Sequence, residues 1–361
     1  MIEYENLSKS NKKFYLEYLN KTKKILSKGS FILSEEVSQF EKKLSNFCGT
    51  KYCTGVGNGL NALTISLESL ELPKKSEIIV ASNVYYASIL SIIRSGHTPV
   101  LVEPDIKTYN IDVNKIENKI SKKTKAIMAV HMYGKSCDMD NISKICKKNN
   151  LYLIEDCAQS HGAKFKKKIT GSFGNFGCFS FYPTKNLGCL GDGGAIVSNS
   201  KVLEKKTKLF RNYGSIKRYK NDIIGDNSRL DEIQAGFLNV KIKYLNKINN
   251  HKRELAKIYL ENINHNFIKP DINHDYHDVY YVFSLRIDKR NKFREFLLKK
   301  GIRTDIHYPN PPYSQKALKN IFLNQKYPIS NEIHNTTISL PISYFHSKKN
   351  IETVSKIINK F

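Results

Sequence analysis

Residues 177–198 read GCFSFYPTKNLGCLGDGGAIVS. Two short apolar runs, at 177–182 and 193–198, enclose a glycine-rich segment that carries Lys185. Runs of this length, bounded by glycine and polar residues, read as buried strands. The pattern recurs upstream at 77–81 (EIIVA), 98–103 (TPVLVE), 125–131 (KAIMAVH) and 151–156 (LYLIED). Helical periodicity falls between several of them, at 84–95 and 138–149. Strand and helix in alternation predict an α/β fold on a mostly parallel sheet.

Working outward, residues 34–47 predict a helix with Val37, Phe40, Leu44 and Phe47 on one face. A second helix over 59–70 is entered through a glycine-rich turn, and 202–212 and 229–245 add more. Residues 246–263 read as a long connecting helix. After it come a strand at 280–287, a helix at 291–301, a strand at 302–308, a Pro-rich turn at 309–312 and a helix at 349–360. A chain of 361 residues has room for about two domains. We place them at 1–245, large, and 246–361, smaller and also α/β.

Composition narrows the function classes. A hydrophobic fraction of 40% spread along the chain excludes intrinsic disorder as the main description. No apolar run approaches the roughly 18 residues of a membrane span. The N-terminal MIEYENLSKSNKKF has neither an apolar core nor a small-residue cleavage site, so we expect a cytoplasmic protein. Seven cysteines without a CxxC pair read as small buried hydrophobes, and no metal is expected. The net charge of +26 ordinarily points to nucleic acid. Here the lysines are scattered, no basic stripe interleaves with aromatics, and an Asn- and Ile-rich chain without Trp fits AT-rich coding. The expectation is therefore no nucleic-acid partner, with a positive field suited to a doubly anionic small substrate.

Three segments carry chemistry. In GVGNGLNAL (55–63), glycines open a helix whose N–H groups can converge on an anion. Alone, a bare tight turn is the plain alternative; a dinucleotide loop would need GxGxxG, whereas the spacing here is GxGxG. In IEDCAQSHG (154–162), Asp156 ends an apolar strand, where open α/β sheets bind ligands and where a structural cap is the plain alternative. In the opening stretch, Lys185 sits in a sparsely charged loop beyond a buried strand, where partial desolvation suits a Schiff-base amine. Cradle, acid and lysine together are what a pyridoxal phosphate site needs.

With EDCAQSHGA (155–163), GSFGNFGCFSFYPTKNLGCLGDGGA (171–195), RNYGS (211–215) and NSRLDEIQAGFL (227–238), the whole chain resembles the DegT/DnrJ/EryC1/StrS sugar aminotransferases. These have the aspartate aminotransferase fold, PLP fold type I. The resemblance implies pyridoxal 5′-phosphate as cofactor, with Lys185 as its covalent anchor and Asp156 on the pyridine nitrogen. It puts Gln159 near the ring hydroxyl and Tyr85 on the opposite ring face. Ser180, Gly59 and the backbone of Leu60 and Asn61 would hold the phosphate. Many relatives have Thr or Ser where this chain has Leu60, so that hydroxyl contact is missing here.

The family forms homodimers with shared active sites. The resemblance therefore implies that Asn227 reaches the neighbour's phosphate and Arg229 the amino-donor carboxylate. The pattern in EPDIKTYNID (103–112) and IHYPNPPY (306–313) resembles the subgroup acting on dTDP-3-keto-6-deoxyhexoses. There Tyr182, Lys217, His307 and Tyr308 would surround the sugar or its phosphates. The implied reaction uses L-glutamate and yields a dTDP-3-amino-3,6-dideoxyhexose for surface polysaccharide such as O-antigen. A C-4 aminotransferase on a UDP- or dTDP-4-keto sugar is the nearest alternative. The family's 3-dehydratase branch has histidine at the lysine position, whereas Lys185 is present. A non-catalytic regulatory or nucleic-acid-binding protein would account for the charge but not for the three segments.

Overall fold

The computed structural model describes residues 1–323 and 325–361. Seven strands form the central sheet: β1 (Tyr52–Val56), β2 (Glu77–Ala81), β3 (Thr98–Val102), β4 (Thr124–Val130), β5 (Tyr152–Asp156), β6 (Phe176–Ser180) and β7 (Gly194–Ser198). Their order is β1-β7-β6-β5-β4-β2-β3. Neighbours from β6 to β3 pair in parallel, and β7 runs antiparallel to both β6 and β1. The α/β reading therefore holds, with one reversed strand. It misses β1, whose sequence KYCTGV is too short and too polar to stand out, and which pairs only with β7.

Helices cover the sheet. α1 (Tyr15–Lys28) is followed by α2 (Glu35–Cys48), which buries Val37, Phe40 and Leu44 and ends at Gly49 with φ 71°. That left-handed turn suits glycine. α3 (Gly59–Ser69), α4 (Tyr86–Arg94) and α5 (Met139–Lys148) pack into the main core with β2, β4 and β5. α6 (Lys201–Phe210) and α7 (Glu232–Lys241) follow. α8 (Leu245–Asn262) lays Leu255, Ala256 and Tyr259 into a separate core. That core is completed by β8 (Phe283–Arg286), α9 (Arg290–Lys299), β9 (Thr337–Leu340) and α11 (Lys348–Ile358), with α10 (Pro328–Thr336) leading into β9. α11 starts in a capping box, with Ser347 and Asn350 bonding each other's backbone N–H, and buries Ile351, Val354 and Ile358.

The strand expected at 280–287 shortens to β8, which pairs with β9. The strand expected at 302–308 does not form. It is extended chain with isolated bridges from Ile302 to Ile2 and from Asp305 to Ser339. Its edge is taken by the N-terminus: Ile2 donates its N–H to Gly301 and accepts from Arg303. Among the described residues, no helix is long and apolar enough to cross a membrane. All seven cysteines are free and buried.

One buried carboxylate organises the site end of the sheet. Glu155 accepts N–H bonds from Gly171, Phe173 and Gly174 at 2.7–2.8 Å. His131 Nδ1 accepts from the Cys137 N–H, so Nε2 carries the proton and donates to Glu155 at 3.1 Å. Glu155→Ala would orphan these donors at about 1–3 kcal/mol each where water cannot reach them. We predict a stability loss of about 3 kcal/mol or more in urea unfolding, and a loss below about 1 kcal/mol would contradict this reading.

Candidate active site

The carboxyl ends of β4, β5 and β6 open into a cavity of about 670 Å³. Lys185, Asp156, Gln159, Ser180, Gly59 and Leu60 line it, as do Tyr85, Tyr182, His307 and Tyr308. Residues from five sequence segments thus meet at the edge where open α/β sheets bind ligands.

The cradle comes from a close approach. β6 ends at Ser180 against the start of α3, where a Cβ on Gly59 would sit 2.6 Å from Ser180 Cβ. Only glycine lets these backbones meet there. Asn58 caps the helix, its Oδ1 accepting from the Asn61 N–H at 2.8 Å. This departs from the expectation for Asn61: its amide is already spent on the cap, and Asn61 does not line the cavity. The N–H groups of Gly59 and Leu60, in the first turn, are the ones at the positive end of the helix.

Asp156 is buried, accepting from Ser88 Oγ at 2.8 Å and from the Ala158 N–H at 3.1 Å. Burial raises its pKa above the usual carboxylate range, opposed by Ser88, Ala158, Lys185 and His131. Among the described residues no ion-pair partner reaches it. Gln159 accepts the Tyr133 N–H at 2.7 Å and donates to Tyr308 Oη at 2.9 Å. The Tyr85 ring lies 4.9 Å from that of Tyr308.

Lys185 leaves β6 in a tight turn, donating its N–H to the Tyr182 carbonyl at 2.9 Å. Its Nζ lies 4.1 Å above the Tyr281 ring and forms no ion pair among the described residues. His307 Nδ1 meets Ser339 Oγ at 2.8 Å. Burial pushes the His307 pKa down to about 4, with Lys185 adding to it and Asp305 opposing.

Three predicted residues lie elsewhere. Lys217 is on an exposed hairpin, residues 215–221, and Asn227 bridges to Asn212. Arg229 donates to Asn212 Oδ1 at 2.8 Å, with its guanidinium 5.3 Å from the Tyr213 ring. None of them lines this chain's own cavity. Conversely, the sequence reading missed Tyr4, Glu5 and Tyr281, which do line it. No local motif marks them: the N-terminal pair arrives through the Ile2–Ile302 bridge.

The cofactor that the resemblance implies fits the residues present. A buried carboxylate without a cation suits a protonated pyridine nitrogen, a helix N-terminus against Ser180 suits a phosphate, and an unpaired lysine amine suits an aldehyde.

Residues 15–360 match the family model described as the DegT/DnrJ/EryC1/StrS aminotransferase family. The chain is 48% identical over 362 residues to the dTDP-3-amino-3,6-dideoxy-alpha-D-galactopyranose transaminase of Aneurinibacillus thermoaerophilus, covering 100% of this chain and 99% of the relative. It superposes on S. venezuelae DesV, solved in complex with a ketimine intermediate, with TM-score 0.97 and 32% identity, covering 99% of this chain and 98% of that one. NtdA of Bacillus subtilis, solved with bound cofactor PMP, gives TM-score 0.92 and 26% identity, covering 99% of this chain and 85% of that one. The chain belongs to the DegT/DnrJ/EryC1/StrS aminotransferase family.

Two histidines of this region stay neutral. Burial pushes His161 down to about 3 and His307 to about 4, against an ordinary 6.5. A histidine depressed in the fold makes the unfolded chain bind more protons, so its contribution to stability is complete above pH 6.5 and fades as pH falls toward the folded value. We predict that their imidazole NMR signals, assigned with His161→Asn and His307→Asn, show no protonation at pH 5.5. A midpoint above 6 for either would contradict the burial argument.

Proposed function

We propose that this family member is a pyridoxal 5′-phosphate-dependent aminotransferase that converts a dTDP-3-keto-6-deoxyhexose to a dTDP-3-amino-3,6-dideoxyhexose, with L-glutamate as donor. The observation that carries the reaction is the meeting of Lys185, Asp156 and the Gly59–Ser180 cradle on one cavity. The sugar follows from the identity with the A. thermoaerophilus transaminase over the full chain.

When bound, the cofactor supplies an electron sink that lets an amino acid's Cα release its proton. This chain's residues do the rest. Asp156 would sit at the pyridine nitrogen and keep a proton on it. Gly59, Leu60 and Ser180 would hold the phosphate, while Gln159 and Tyr85 would orient the ring. Lys185 Nζ would take the proton from Cα of glutamate, whose amino group is left on the cofactor while water supplies the oxygen of the departing 2-oxoglutarate; in the second half Lys185 would deliver a proton to C-3 of the sugar as that amino group passes to it and the keto oxygen leaves as water. Its freedom from ion pairing suits both tasks. His307, Tyr182 and Tyr308 orient the sugar so that C-3 faces the reacting amine. The neutral His307 ring, held at Nδ1 by Ser339, keeps Nε2 for the sugar or its phosphate.

The homodimer belongs to this proposal. On α1, Leu16, Leu19 and Leu26 are 78%, 65% and 60% exposed and share one helix face, with exposed Phe31, Ile32 and Leu33 following. Such a patch suits a second copy of the chain. A partner would bring Asn227 and Arg229, idle in their own subunit's cavity, to the neighbouring site, with Lys217 offsetting phosphate charge. The reading places the enzyme in the cytoplasm, where nucleotide sugars are made.

With separate 3-keto and 4-keto dTDP-sugars, product analysis should show amination at C-3 only. His307→Ala should slow the sugar half-reaction about 100-fold while leaving the glutamate half-reaction within about 3-fold, because the two halves share Lys185 but not the sugar contacts. Equal losses would make His307 structural, and efficient turnover of the 4-keto sugar alone would overturn the C-3 assignment. Mixing inactive Lys185→Ala with an impaired Asn227→Ala variant should restore activity through hybrid dimers. A fully active monomer in sedimentation would refute the shared site.

A further inference from the structure

Asn186, next to Lys185, is buried and held at both ends of its side chain. Its Nδ2 donates to Asn249 Oδ1 at 2.9 Å and to the Val279 carbonyl at 3.0 Å. Its Oδ1 accepts from Lys252 Nζ at 2.8 Å. Asn249 in turn donates to the His161 carbonyl at 2.8 Å, on the loop that follows Asp156. Lys252 also donates to the Tyr281 carbonyl at 3.1 Å. The Tyr281 ring has Lys185 Nζ 4.1 Å from its centre and Lys252 Nζ at 5.8 Å. The network therefore reaches Lys185 twice, through its chain neighbour and through the ring its amine rests on.

Lys252 is costly for a purely structural residue. It is buried on α8, both its acceptors are neutral, and no carboxylate pairs with it among the described residues. Burial pushes its pKa down to about 8, with Glu5 opposing. An apolar side chain of similar length would fill the same space without desolvating a charge. The charge is therefore not explained by packing, and both its bonds go to groups that flank Lys185.

We infer that Lys252 is a positioning residue for Lys185: through Asn186 and Tyr281 it sets the direction in which the Lys185 amine meets an aldehyde in the cavity. The inference rests on the pyridoxal phosphate reading. In that step the lone pair of neutral Lys185 Nζ adds to the aldehyde carbon. Both N–H hydrogens then leave with the carbonyl oxygen as water, and a carbon–nitrogen double bond remains. Its rate depends on how well the amine is aimed. Among the described residues, no hydrogen bond joins Gly59 or Ser180 Oγ to Asn186, Asn249 or Lys252, so aim and affinity are separable.

The test uses cofactor-free protein with Lys252→Met and, as a second variant, Asn249→Ala at the far end of the network. One probe is pyridoxal 5′-phosphate, whose capture is followed by its visible band. The other is 4′-deoxypyridoxine 5′-phosphate, which has no aldehyde and reports the cradle alone through its dissociation constant. Misplacement by about 1 Å can cost about 100-fold, so we expect capture at least about 10-fold slower in Lys252→Met, with a smaller slowing in Asn249→Ala. The analogue's dissociation constant should stay within about 2-fold, and Lys252→Met should still unfold in one cooperative thermal transition, lowered by the two acceptors it orphans. Unchanged capture rates in both variants would overturn the inference. So would analogue affinity lost in step with capture, since the network would then merely support the fold. If Lys252→Met does not fold, Asn249→Ala decides by the same two readouts. A wild-type protein that forms no visible band would instead overturn the cofactor reading.

Discussion

The carboxylate of Asp156 sits buried at the end of β5 with a hydroxyl and one N–H as its hydrogen-bond donors. Burying an anion without a counter-cation is expensive, and the raised pKa records that cost. The surrounding structure keeps the group in place nonetheless. Glu155, one residue earlier, is saturated by three backbone N–H groups and His131, which pins the strand end and the 171–174 loop. Asp156 is left as a carboxyl group fixed against a cavity, where a cationic ring nitrogen would favour its charged form.

The rest of the site follows from where the sheet stops. β6 runs two residues beyond the end of β5, bringing Ser180 against the start of α3 and Lys185 onto the turn beyond. A positive helix end, a buried carboxyl group and an unpaired amine are thereby held at fixed separations. The arrangement separates binding from reaction: the cradle anchors, the carboxylate sets ring electronics, and the amine moves protons. The substrate side is built differently. His307 and Tyr308 come from extended chain that the N-terminal residues brace, and Tyr4, whose ring lies 5.9 Å from that of His307, belongs to that brace.

What was legible in the sequence was whatever a short window encodes. β2 to β7 announce themselves as apolar runs between polar borders, and α2, α5 and α11 as helical stretches. Lys185, Asp156 and Gly59 stand out because glycine, strand end and charge coincide within a few residues. The misses are long-range. β1 exists as a strand because β7 pairs with it, and 302–308 is not a strand because its edge meets the chain terminus instead of a sheet. Tyr281 and Lys252 look like any tyrosine in YYVF and any lysine in NNHKRE. Only the fold brings them beside Lys185, some 65 to 95 residues away in the chain. Asn227 and Arg229 are legible only by resemblance, since their own subunit gives them no part in its cavity.

Reduction of the protein with borohydride in the presence of pyridoxal 5′-phosphate, followed by peptide mass spectrometry, tests the central claim most directly. Reduction fixes the carbon–nitrogen bond to whichever amine formed it, in a chain crowded with lysines. The account predicts one stoichiometric pyridoxyl group on the peptide containing Lys185, and loss of that adduct when glutamate is added before reduction. A pyridoxyl group on a different lysine, or one spread over many surface lysines with Lys185 unmodified, would contradict it.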